Sequence, residues 1–171
     1  MRFWKVEFLG GGLSELLEAL SNSPISDLAL DWVTGLKEFF AATPIDTLVK
    51  WFSRIENLSL RGNYLDDNFS ELFAEILLRN QSLLSISLWD NQIADHGAIV
   101  IGNALRSNKT LLSLSLSKNM IGDMGADHLF LSITKFKLSA SQLFDRKKTI
   151  RDLEKRKKES INRRRRVTKG I

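Results

Sequence analysis

The sequence predicts an α/β solenoid, a curved parallel sheet lined by helices, and three observations predict it. The segment LLSISLWDNQIADHGAIVIGNALRSNKT (83–110) is followed at once by LLSLSLSKNMIGDMGADHLF, which restarts the same pattern. Asn63, Asn91 and Asn119 recur every 28 residues, and four apolar columns keep step with them: Ile55/Leu83/Leu111, Leu58/Ile86/Leu114, Leu60/Leu88/Leu116 and Leu65/Ile93/Ile121. Within each unit the apolar spacing changes from every second residue, as in a strand, to the spacing of a helix face.

Each element follows from its own column. Two apolar residues separated by a polar one point to the same side of a short strand, and copies in successive units stack ~4.8 Å apart as a parallel sheet. The asparagine takes the chain out of the strand; its amide donates to and accepts from backbone groups that the bend would leave unpaired. SELFAEILL (70–78) and AIVIGNAL (98–105) then supply helices,. Asn80 and Asn108 are expected to end those helices in the left-handed conformation. Upstream the pattern frays. Ile25, Leu28, Leu30 and Val33 form one degenerate unit, and Phe3, Val6, Phe8 and Gly11 another, giving spacings of 22 and 30 residues and about five units in all. The expected organisation is degenerate leading repeats over 1–54, regular repeats over 55–138 and a tail over 139–171. The strand FWKVEFL would offer an unpaired apolar edge, explained by sequence missing upstream or by pairing with another copy or a partner.

Charge divides the chain. Residues 146–171 hold 13 of the 25 Lys and Arg against 3 acids, which leaves a net negative body and a strongly basic tail,. With no Pro and one late Gly, the tail favours a helix, and Lys155, Arg156, Lys157, Lys158 and Arg163, Arg164, Arg165, Arg166 make it a candidate contact for nucleic acid or an acidic surface such as a microtubule,. No aromatic side chain is interleaved among them to stack on bases. The absence of cysteine removes disulfides and thiolate metal sites,. No secretory or membrane-spanning run is evident, so a cytoplasmic location is expected, with a nuclear one conceivable through the tail. The sequons at Asn57, Asn68, Asn80 and Asn108 are then coincidental.

Catalysis finds little support. His96 and His128 occupy different positions of the repeat, and no further ligand set completes a metal site. The segment from Phe3 through Gly10, Gly11 and Gly12 to Asp31 imitates a dinucleotide-binding βαβ unit, but Glu15 stands where its third glycine belongs and would repel a pyrophosphate. A nucleotide enzyme is therefore a remote alternative. No catalytic residue, cofactor, metal or small-molecule substrate is expected. Recognition is the better reading: the outward strand positions are mostly small and polar, and against them Trp89 and Arg61, with Asp90, Lys118 and Ser87 around them, form a candidate protein-binding patch, since Trp and Arg are favoured anchors. Packing of Trp89 across the serine floor or on a neighbouring loop is the competing explanation.

The three regular units resemble the ribonuclease-inhibitor type of leucine-rich repeat, which implies a solenoid with a full helix in every return segment. The following stretch, FKLSASQLFDRKKTIRDLEKRKK (136–158), is similar to the segment after the last repeat in the family of leucine-rich repeat-containing protein 71. That resemblance implies a non-enzymatic scaffold associated with cilia and flagella, and it carries no functional residues over to this chain.

Overall fold

The structure is a computed structural model that describes residues 1–8, 11–134, 148, 151 and 155. The chain divides into two compact units, Met1–Phe136 and Lys137–Ile171. The first unit is a leucine-rich-repeat solenoid. Its five parallel strands follow one another in sequence order: β1 (Arg2–Trp4), β2 (Asp27–Asp31), β3 (Asn57–Ser59), β4 (Ser85–Ser87) and β5 (Ser113–Ser115). The returns carry α1 (Gly12–Ser21), α2 (Leu36–Ala42) with α3 (Ile45–Trp51), α4 (Asp67–Arg79), α5 (Asp95–Ser107) and α6 (Asp123–Thr134). Leu28, Leu58, Ile86 and Leu114 pair in register, so the columns read from the sequence stack as expected. Between sheet and helices lies one core, in which Phe40, Phe73, Leu60 and Leu88 are almost fully buried.

The asparagines couple each repeat to the one before it. Asn63 Oδ1 accepts from Val33 N (2.7 Å) while its Nδ2 donates to Leu30 O (2.7 Å). Asn91 repeats this on Asn63 N, Leu65 N and Leu60 O at 3.0 to 3.1 Å, and also donates to Leu88 O in its own repeat. Asn119 serves Ile93 N and Leu88 O. A carboxylate column adds to the coupling: Asp67 accepts from Ala94 N, and Asp95 from Gly122 N and Gly125 N. Gly97 and Gly125 sit where a Cβ would lie 2.4 Å from Asp67 Oδ1 and 2.6 Å from Asp95 Oδ1, so their lack of a side chain is what lets adjacent helices close on these carboxylates.

Three expectations need correction. Asn80 and Asn108 do follow α4 and α5, but in extended backbone (φ −87° and −72°), not the left-handed conformation. They build a second amide ladder, Asn80 Nδ2 donating to Phe52 O and Asn108 Nδ2 to Leu77 O, while each Oδ1 accepts two N–H groups of the chain re-entering the next strand. Buried and doubly engaged, neither amide is reachable for glycosylation in the folded chain.

The first repeat is also out of the expected register. Phe3 pairs with Leu30 and Trp4 with Asp31, which puts Val6 rather than Gly11 in the asparagine column. The spacing from the second repeat is therefore 27 residues, not 22. Alternation favours the other alignment, with Trp4, Val6 and Phe8 against the charged Lys5 and Glu7, and the five-residue shift reverses the faces,; the one adopted brings Trp4 against Trp32, edge to face at 6.4 Å, and Phe3 against Phe8 at 5.5 Å,. The strand consequently ends at Trp4, and Gly11 leads into α1.

Finally, the second return is not one helix. Pro44 pushes the preceding Thr43 into an extended conformation (ψ 129°) and so divides α2 from α3,. Elsewhere, α4 begins on Asp66, whose carboxylate accepts from Asn68 N and Phe69 N and pairs with Lys37 of α2 at 2.7 Å. Burial raises the Asp66 pKa, but the Lys37 bond and the two N–H groups outweigh it and hold the carboxyl below its ordinary range. The expected tail boundary at 138/139 lies outside the described residues, as do Arg156 to Lys158 and Arg163 to Arg166. Lys148, Arg151 and Lys155 are helical and exposed.

Candidate functional site

The bend after each strand passes through a left-handed residue, in the order Lys5, Trp32, Gly62, Asp90 and Lys118, with φ between 51° and 65°. Each stands one position before the asparagine column, and the residue before it is the last to project from the strand. Those two positions set a row of aromatic and cationic side chains across the whole sheet. Trp4 meets Trp32 edge to face, and Trp32 meets Trp89 in the same way at 6.0 Å. The Arg61 guanidinium carbon lies 4.6 Å from the Trp89 ring centre and 5.8 Å from that of Trp32. Lys118 Nζ sits 4.4 Å from the Trp89 ring centre, and Lys5 Nζ 4.8 Å from that of Trp4.

A glycine makes the central contact feasible. Trp32 belongs to the second repeat and Trp89 to the fourth, so the Trp32 ring must cross the third. It does so over Gly62, where a Cβ would fall 2.2 Å from Trp32 Nε1.

Of the predicted binding residues, the structure therefore unites Trp89, Arg61 and Lys118. Trp89 is half-buried, packed on a neighbouring loop through Trp32, and not the free-standing ring its pattern suggested. Asp90 and Ser87 flank the row without a hydrogen bond or ion pair to those three. Asp90 instead holds the bend, its N–H donating to Ser117 O, and Ser87 pairs within the sheet between Ser59 and Ser115. Sequence reasoning missed Trp4, Trp32 and Gly62. Trp32 was legible as the residue before Val33; Trp4 was concealed by the five-residue error in the first repeat.

Beside the row, the outward polar residues tie strands together. Asn57 donates to Asp27 (2.8 Å), and the buried Asp31 carboxylate accepts from Ser59 Oγ (2.6 Å) and Arg61 N (3.1 Å). Asp31, the acid of the imitated nucleotide unit, is thus committed inside the sheet. Arg61 Nε is buried without a hydrogen-bond partner. His96 pairs with Glu71 across α5 and α4, and His128 Nδ1 is buried near Gly102. Among the described residues no group of three or more His, Cys, Asp or Glu is placed to hold a metal ion, and no helix is long and apolar enough to cross a membrane.

No family model matches the sequence. No curated protein matches it either. Among solved structures, the chain is similar to leiomodin-1 actin-binding site 2, with 18% identity over 91% of this chain and 97% of that one and a TM-score of 0.55. It is also similar to the C-terminal domain of tropomodulin from Caenorhabditis elegans, at 11% identity, 81% and 97% coverage and a TM-score of 0.41. At these identities the likeness to leiomodin-1 is one of fold, and it agrees with the leucine-rich-repeat solenoid built above from its columns.

Proposed function

We propose that the chain is a non-catalytic protein-interaction module whose working surface is the row Trp4–Trp32–Arg61–Trp89–Lys118. The observation that carries this reading is the row itself. Large aromatic and cationic side chains, the types that dominate binding energy, are gathered on an otherwise small, polar sheet face and held rigid by one another before any partner arrives,. Actin is the first protein to try, because the leiomodin-1 structure is of an actin-binding site. Trp89→Ala is expected to weaken capture of a protein partner at least ten-fold in a pull-down or surface binding assay, with the urea midpoint close to that of the wild type. Unchanged capture removes the row from the binding surface.

The basic tail supports a second, electrostatic contact, to an acidic protein surface, a microtubule or nucleic acid, because half the cations of the chain are concentrated in residues 146–171. Such a contact weakens steeply as salt rises. The resemblance of residues 136–158 is what supports looking for this second contact in a cilium or axoneme. Removing residues 146–171 is expected to abolish the salt-sensitive part of binding and, in ciliated cells, the ciliary enrichment of a tagged copy; enrichment that survives the deletion disposes of the tail's role.

A further inference from the structure

We infer that the row recognises an extended acidic segment in the polyproline II conformation, with a carboxylate at every third residue. This rests on the protein-interaction reading above and names the chemistry of its partner.

Position within the array is the first argument. Lys5, Arg61 and Lys118 belong to the first, third and fifth repeats, so cations recur at every second strand. Neighbouring strands lie ~4.8 Å apart, so alternate ones are ~9.6 Å apart. Three residues of polyproline II advance ~9.3 Å and return to the same face, whereas three residues of a β-strand end on the opposite face. A partner crossing the strands in polyproline II therefore presents a carboxylate to one cation after another without leaving register. Aromatic-lined grooves suit the same conformation, which is ordered before it binds.

Charge is the second argument. The body carries more acids than bases, yet among the described residues Lys5, Arg61 and Lys118 take part in no ion pair, whereas Lys37, Lys50, Arg79 and His96 do. The nearest competing acid on the strand floor, Asp31, is held by Ser59. Arg61 lies against Trp89 with its Nε buried, which leaves the Nη1/Nη2 end of the guanidinium for bidentate pairing with a carboxylate,. Asp90, half-buried at the rim, adds a repulsive element that penalises acids placed out of step,.

A single-stranded nucleic acid is the other polyanion that an aromatic, cationic row could hold, but stacked bases need open ring faces. The Trp89 ring is approached by Arg61 and Lys118, and Trp32 by Arg61 and the edge of Trp4. Trp4 is 58% exposed, with Lys5 Nζ 4.8 Å from its ring centre, and one such ring is no platform for successive bases; at Trp32 and Trp89 the outward charges are what remain on offer.

The test uses the full chain and three fluorescein-labelled nonapeptides read by anisotropy: three Glu-Pro-Pro units, the same residues with the glutamates clustered at one end, and three Gln-Pro-Pro units. The basic tail attracts the two acidic peptides alike, so the difference between them reports the row. The spaced peptide is expected to bind at least ten-fold more tightly than either of the others. Arg61→Gln, and separately the exposed Lys118→Gln, should each erase most of that preference with the urea midpoint unchanged. Equal binding of spaced and clustered peptides, or a preference indifferent to both substitutions, overturns the inference. So does Arg61-dependent binding of oligo(dT) in the absence of any peptide preference. If protein capture depends on Trp89 while the peptides show no preference, the inference falls alone; if neither depends on the row, both readings fall.

Discussion

Replacing Asn91 with alanine is expected to lower the stability of the array by about 3 to 5 kcal/mol. The amide holds the N–H groups of Asn63 and Leu65 and the carbonyls of Leu60 and Leu88, with a longer bond to Trp89 O at 3.4 Å. Asn91 is 7% exposed, so water reaches this site poorly, and an orphaned buried donor or acceptor costs about 1 to 3 kcal/mol,. Carbonyls tolerate neglect better than N–H groups; the two lost N–H bonds therefore dominate. Asn119→Ala is the internal comparison. It releases one N–H, that of Ile93, at a position only half-buried, and should cost less. Urea denaturation followed by circular dichroism checks both variants, and equal losses at the two positions would refute the account of the ladder.

The second large effect is expected at Gly62. Gly62→Val should cost about 2 to 4 kcal/mol, combining left-handed backbone strain with overpacking against Trp32. Strain alone does not explain the glycine: Lys5, Trp32, Asp90 and Lys118 occupy equivalent bends at similar φ with side chains in place. The Trp32 ring is the difference. Gly62→Asn, which accepts the backbone angle more readily, should therefore remain costly, whereas Gly35→Ala, at φ 76° with open space around its Cβ, should cost only the backbone strain,. Trp32→Ala ought to relieve most of the packing penalty at Gly62 in a double-mutant cycle, and tryptophan fluorescence reports the displaced ring directly. A Gly62 penalty that persists in full without Trp32 would show that the collision is not its cause.

These cases mark what the sequence could and could not disclose. Columns with a fixed period were legible because the physics repeats: the same leucine meets the same cavity and the same asparagine the same bend, three times over. The helix ends were read at the right residues and in the wrong conformation, since a capping preference says nothing of the carbonyls of Phe52 and Leu77 that draw the Asn80 and Asn108 amides inward. The first repeat was misaligned because the alternation of Trp4, Val6 and Phe8 with Lys5 and Glu7 points to a register five residues away, and no asparagine pins the one adopted,. The candidate site was half legible. Trp89, Arg61 and Lys118 stood out as large residues near equivalent positions, but that the Trp32 ring reaches across a whole repeat depends on a missing side chain at Gly62, and absence leaves little trace in a pattern of presences.

The direction of the asparagine bonds bears on how the protein is made. Each amide completes the bend of the repeat that precedes it, so a bend emerging from the ribosome waits for 26 to 28 more residues before its N–H groups are answered. At 5 to 20 residues per second that interval is on the order of a few seconds. Through it the nascent chain carries one unfinished turn at its growing end, a moving vulnerability that each new copy closes and then passes on.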